Sequence, residues 1–137
     1  MSNKRHTFIT SLIAAAFMGC AADGFGSVYE SISAAELKQR MEDSSDAGYV
    51  ILDIRDRPDY EGAHIPGAIN IPLKELGYSF VSLDKVNDMI VYCKVGEQSK
   101  VACQILARAG FKDVYNLTYG LKGWNYALET SNGKVII

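Results

Sequence analysis

Only three cysteines occur in 137 residues, Cys20, Cys93 and Cys103, and their spacing excludes two classes of small protein at once. They are too few for a disulfide framework and lack the paired spacings of a structural zinc site. There is no basic excess either. Fourteen Lys and Arg against sixteen Asp and Glu give a net charge of −2, and no basic run occurs, so no nucleic-acid partner is expected. Internal repeats and low-complexity tracts are absent. The length and 48% hydrophobic content suit one domain and are too small for two.

A long hydrophobic run is missing as well. The most apolar stretch, Phe8 to Met18, covers eleven positions and contains Thr10 and Ser11. A membrane-spanning helix needs about 20. With Lys4 and Arg5 before it and small residues after it, residues 1–19 read as an export signal. Two endings stand. Phe17-Met18-Gly19-Cys20 resembles a bacterial lipobox, which would place a lipid on Cys20 and make it the only membrane attachment; the other ending is ordinary cleavage after Ala21 or Ala22. The expected location is the periplasm or a lipid-anchored position at a bacterial membrane. Loss of residues 1–19 removes two cations and no acid, taking the charge from −2 to −4. Residues 20–27 then form a tether and residues 28–137 the folded domain.

Within that domain apolar runs alternate with helical patterns. Val28-Tyr29-Glu30 suits a first strand, and Ser33-Ala34-Ala35-Glu36 is a capping box opening a helix through Leu37 and Met41. Tyr49 to Ile54 has the continuous apolar character of a strand buried on both faces. Asp56 to Glu61 suits a short helix that tolerates Pro58 in its first turn, Ala68 to Ile71 a strand, and Leu73 to Leu76 one helical turn before a less patterned stretch, 77–88. Met89 to Tyr92 is the next strand. A helix follows from Glu97, with Val101, Ile105, Leu106 and Ala109 at helical spacing and Gly110 as its C-cap. Val114 to Leu117 reads as a strand, Leu121 to Leu128 as a helix, and Lys134 to Ile137 as an edge strand. The alternation implies an open, mostly parallel sheet of about five strands with helices on both faces.

Cys93 ends the strand Met89 to Tyr92 and precedes a short loop and a helix. Unpaired N–H groups at the helix N-terminus favour negative charge there, so a thiol in that place is expected to ionise more readily than an ordinary cysteine at about 8.5. Cys103, ten residues on, reads as a core residue rather than a resolving thiol.

With these elements in place, three segments resemble the single-domain rhodaneses, a sulfurtransferase family. Leu52-Asp53-Ile54-Arg55 through Tyr60, followed by His64-Ile65-Pro66-Gly67-Ala68 to Pro72, resembles the family's DxR…GHIPGA signature. Cys93-Lys94-Val95-Gly96-Glu97-Gln98-Ser99 resembles its active-site loop, and Gly120-Leu121-Lys122-Gly123-Trp124 its C-terminal glycine-and-tryptophan motif. The departures are Ala63 for the usual glycine, Gln98 for an arginine with Glu97 beside it, and Leu121 within the usual Gly-Gly pair.

The resemblance implies that Cys93 accepts sulfane sulfur as a persulfide, from thiosulfate or another persulfide, and passes it to cyanide or a thiol. Residues Lys94, Val95, Gly96, Glu97, Gln98 and Ser99 would bind substrate, with Lys94 as the cation for the donor and for the thiolate. Ser99 would either donate to sulfur or cap the helix. Asp53 and Arg55 are expected as a structural ion pair, His64 as structural, and Trp124 as a core anchor that also lines the pocket. No metal or organic cofactor is implied. Cysteine phosphatases place an arginine six residues after the nucleophile; Ser99 stands there, which argues against phosphate-ester chemistry. The missing arginine also weakens the case for thiosulfate and keeps open a protein or low-molecular-weight persulfide donor, or a non-catalytic carrier or docking module. A redox protein using Cys93 with Cys103 is a third reading.

Overall fold

The computed structural model describes residues 28–137. The expected export signal, the lipobox reading at Cys20 and the whole of the expected tether, residues 20–27, lie outside the described residues. Five parallel strands form one sheet: β1 (Glu30–Ile32), β2 (Tyr49–Asp53), β3 (Ile69–Asn70), β4 (Asp88–Tyr92) and β5 (Val114–Leu117), in the spatial order β1-β5-β4-β2-β3. Four α-helices connect them: α1 (Ala34–Glu42), α2 (Arg57–Gly62), α3 (Leu73–Ser79) and α4 (Gln98–Arg108). The α/β class and the parallel five-stranded sheet are as the alternation implied.

The local signals act as their chemistry requires. Ser33 Oγ accepts the Glu36 N–H at 3.0 Å while Glu36 accepts the Ser33 N–H at 2.9 Å, closing the capping box of α1. Pro58 sits in the first turn of α2, where its missing N–H costs nothing. The central strand β4 is buried along its whole length, and the two-residue period sorts its side chains. Met89, Val91 and Cys93 join Leu52, Ile54, Ala102, Cys103 and Leu106 on the face covered by α3 and α4. Ile90 and Tyr92 join Leu37, Ile51, Tyr115 and Trp124 on the opposite face.

Five expectations are corrected. The first strand lies two residues later than Val28-Tyr29-Glu30, because Glu30 to Ile32 is the stretch in register with Tyr115 to Leu117. The single turn at Leu73 extends to Ser79 and into a 3-10 turn, Phe80–Ser82, because Leu76 and Phe80 pack on the core across α4. Val101 is solvent-exposed; the buried stripe of α4 is Ser99, Ala102, Cys103 and Leu106. Residues 121–128 do not make an α-helix. Gly120–Gly123 is a 3-10 turn whose own middle N–H groups bond outside it, Leu121 to Cys93 O and Lys122 to Lys94 O, both at 2.9 Å. Finally, Val135–Ile136 (β7) pairs antiparallel with Leu128–Glu129 (β6) as a separate hairpin and does not extend the main sheet.

Candidate active site

Strand β4 ends at Tyr92, so Cys93 stands at the carboxyl end of the central strand, where open α/β sheets place their crevices. The chain then turns through residues 94–97 and enters α4. Gly96 has φ +93 and lies so close to the next segment that an added Cβ would sit 3.0 Å from Tyr119 N. Only glycine is free of both penalties. The turn aims its backbone inward. Gly96 N–H donates to Cys93 Sγ at 3.1 Å and Ser99 N–H at 3.3 Å, with Ser99 Oγ also 3.3 Å from the sulfur.

These contacts settle the acidity of the thiol. Burial acts to raise the Cys93 pKa. Against it work the Ser99 hydroxyl, then the N–H groups of Ser99, Gly96 and Val95, and together they hold it below its ordinary value. Neutral donors achieve the lowering, so Lys94 is not needed for it. Cys103 is the opposite case. It is fully buried, and burial with the nearby Cys93 pushes its thiol up to about 12. Both are free thiols, and Cys103 belongs to the core as expected. The thiolate absorbance of the protein is therefore expected to show one component with a midpoint below the ordinary ~8.5, absent in Cys93→Ser, and none from Cys103 until strongly alkaline pH.

Beside the loop opens a cleft of about 860 Å³, walled by Ile54, Leu73, Leu121 and Leu128 and by the charged groups Arg55, Asp56, Asp59, Lys74, Lys94 and Lys122, with Gln98 at the helix start. Of the loop residues expected to bind substrate, Lys94 and Gln98 reach this cleft; Val95 and Glu97 point to solvent, and Gly96 and Ser99 are buried against the sulfur. Glu97 pairs instead with Lys100 at 3.3 Å. Ser99 is no cap. It lies inside the first turn of α4, Glu97 occupies the cap position, and the Ser99 hydroxyl contacts sulfur.

The expected structural residues hold the frame. Arg55 grips Asp53 through Nε and Nη2, at 3.1 and 2.8 Å, and donates to Ala63 O at 2.6 Å. His64 is buried, stacked on Tyr60 with its Nδ1 2.6 Å from Tyr60 O and its Nε2 3.3 Å from Glu129. Trp124 anchors the core face opposite Cys93 and donates to Ala127 O at 3.1 Å. It does not line the cleft; Leu121 and Lys122 do.

Two features escaped sequence reasoning. Asn116, in β5, accepts the Ser99 hydroxyl proton and donates from Nδ2 to Gly96 O at 3.2 Å. The one cue in the sequence is an amide within an otherwise apolar strand, Val114–Leu117, and that cue went unread. Tyr119 takes the left-handed conformation, φ 65, directly before Gly120 at φ 56. The pair of positions suited to glycine is thus 119 and 120. Tyr119, not Leu121, is the residue that departs from the glycine pair.

Comparison with known proteins agrees with this geometry. Residues 33–127 match the family model for the rhodanese-like domain. Over 83 residues the chain is 36% identical to the thiosulfate sulfurtransferase GlpE of Coxiella burnetii, covering 61% of this chain and 78% of GlpE. It is 36% identical over 98 residues to YrkF of Bacillus subtilis, whose name assigns it provisionally as a sulfur carrier protein, covering 72% of this chain and 52% of YrkF. It is also 38% identical over 110 residues to the HTH-type transcriptional regulator Rv0324 of Mycobacterium tuberculosis, covering 78% of this chain and 46% of Rv0324. The chain thus spans about half the length of these last two relatives. Among solved structures, the rhodanese-like domain of the Anabaena Alr3790 protein superposes with a TM-score of 0.64 at 38% identity, covering 69% of this chain and 71% of that one. A rhodanese-like domain protein of Staphylococcus aureus gives 0.67 at 26% identity, covering 74% and 98%.

Proposed function

The chain belongs to the rhodanese-like domain family, and on that footing we propose that it is a sulfurtransferase, moving sulfane sulfur through a persulfide on Cys93. The observation that carries the reading is the ring of donors on Cys93 Sγ, from Gly96 and Ser99, which favours an anionic sulfur inside a buried turn. The thiolate attacks the outer sulfur of the donor, forming the S–S bond of the persulfide as the bond to the donor's leaving group breaks. Transfer to cyanide or a thiol then regenerates the thiolate. No external base is required, which fits His64 being occupied elsewhere.

The cleft supports an anionic donor despite the loop's lack of arginine. Lys74, Lys94 and Lys122 supply its free cations, since Arg55 is taken by Asp53. Its volume of about 860 Å³ far exceeds what a small dianion fills, and its apolar walls suit an organic group. A low-molecular-weight or protein-borne persulfide is therefore a donor alongside thiosulfate. The likeness to YrkF supports a second reading, in which the domain accepts sulfur and only carries it to a partner. We place either activity outside the cytoplasm, on the strength of the basic and apolar sequence at residues 1–19.

Intact mass decides between these. Incubation with thiosulfate should add the mass of one sulfur atom, removable by cyanide and absent in Cys93→Ser. A gain with a thiol persulfide but none with thiosulfate removes thiosulfate as donor, and a single loading without repeated turnover to a free thiol or cyanide then favours the carrier reading. No gain with either donor overturns both.

A further inference from the structure

Asn116 is the single hydrogen-bonding amide in β5, flanked by Val114, Tyr115 and Leu117, and only 4% exposed. It is in register with Val91, and strand alternation puts both on the face that carries Cys93. The orientation of its amide is fixed. Nδ2 donates to Gly96 O at 3.2 Å, so the oxygen Oδ1 is the atom turned to Ser99. An amide oxygen has no hydrogen to give, and the bond between them therefore uses the one proton of the Ser99 hydroxyl. The same hydroxyl oxygen lies 3.3 Å from Cys93 Sγ. With Cys93 as a thiol the chain of donation is complete: S–H to Ser99 Oγ, and Ser99 O–H to Asn116 Oδ1.

The thiolate breaks that order. Once the Cys93 proton has left for water, the sulfur can only accept, and the Ser99 hydroxyl has two acceptors and one proton. We infer that Asn116 is a positioning residue for Cys93: it competes with the sulfur for the Ser99 proton, so the hydroxyl turns from Asn116 to the sulfur each time the thiolate forms. Turning it leaves a buried amide oxygen without a donor, which opposes ionisation. The N–H groups of Gly96 and Ser99 favour the thiolate; Asn116, acting through Ser99, restrains it. Because Asn116 also holds Gly96 O, the residue that restrains the thiolate is tied to the turn that stabilises it. The inference needs Cys93 only as an ionising thiol and stands apart from which sulfur donor is used.

Few other groups could produce the same effect. Around the loop, Lys94 and Lys122 line the cleft, Arg55 is bound to Asp53, and Cys103 on α4 is held as a neutral thiol by burial.

The test is the pH titration of thiolate absorbance of the whole chain, read as the difference from Cys93→Ser. Asn116→Leu is expected to lower the Cys93 midpoint by about one pH unit, because Ser99 is released to the sulfur alone. In a Ser99→Ala background the same change should no longer lower the midpoint, since the coupling runs through that hydroxyl and only the loss of the Gly96 O contact remains. A merely structural asparagine would give equal shifts in both backgrounds. An unchanged or raised midpoint with Ser99 present, or equal lowering with and without it, overturns the inference. Should the leucine variant not fold, the shape-retaining Asn116→Asp serves. It should raise the midpoint by about one unit or more, and by clearly less once Ser99 is alanine; equal rises overturn the inference. Sulfur loading measured by mass is a separate readout, so a failed sulfurtransferase reading leaves this test intact.

Discussion

Gly120→Ala is expected to cost the protein several kcal/mol of stability and to remove sulfur loading with it. A Cβ at this position would lie 2.5 Å from Cys93 O, 2.8 Å from Gly96 N and 2.8 Å from Lys94 C. All three are backbone atoms, so no side chain can move aside. The left-handed φ of 56 adds about 1–2 kcal/mol for a residue with a Cβ, and overpacking in a tight site a further ~1–3 kcal/mol. The strain falls on the functional turn itself. Cys93 O and Lys94 O accept the N–H groups of Leu121 and Lys122, and displacing them moves the loop that aims Gly96 N–H at the sulfur. Denaturant unfolding measures the first effect. The second is read by intact mass after incubation with a sulfur donor, and its cause appears as a Cys93 titration raised toward the ordinary ~8.5. Gly133→Ala is the control. It shares a left-handed φ of 86 but meets nothing within 4 Å, so it should lose only the conformational part, about 1 kcal/mol, and load sulfur normally. Equal losses in the two variants would show that the close packing of 120 against the cysteine loop is not what matters.

That contact also marks where sequence reading stopped. Signals written in adjacent residues were legible: the Ser33 and Glu36 capping box, Pro58 in a first turn, and the apolar run that delivers Cys93 to a helix start. Each depends on local backbone chemistry or on strand period. The turn after β5 depends on neither. Leu121, Trp124 and Leu128 have helical spacing, yet the N–H groups of residues 121 and 122 bond the cysteine loop some thirty positions earlier, a choice made by tertiary packing. Tyr119 likewise takes a conformation for which its side chain gives no cue, and an added Cβ at Gly123 would lie 2.8 Å from the Tyr119 Cβ, so the smallness of one accommodates the other. The setting of Cys93 was legible because its donors are its sequence neighbours. Asn116 was not, because its partners Gly96 and Ser99 are brought to it by the pairing of β4 with β5.

Arg55→Leu should destabilise the fold by about 3–5 kcal/mol while leaving sulfur chemistry intact in the molecules that fold, since removing one partner of a buried pair strands the other charge. Asp53 is fully buried, and its carboxylate takes Arg55 Nε, Nη2 and the Arg55 N–H. Leucine would keep only the last of these. The same guanidinium holds Ala63 O, and Asn70 Nδ2 ties the carbonyls of Asp53 and Arg55, so the pair fastens the end of β2 to the segment 63–71. Arg55 also lines the cleft, and that position invites a catalytic reading. The donors on Cys93, however, all come from the turn at 95–99, whereas the Arg55 guanidinium bonds Asp53 and Ala63 O. Persulfide formed per folded molecule should therefore be close to wild type below the shifted unfolding transition. The double variant Asp53→Asn with Arg55→Leu should regain part of the lost stability, because the uncompensated charge is gone. A stable Arg55→Leu protein that fails to load sulfur would reverse the assignment and make Arg55 a substrate-binding group.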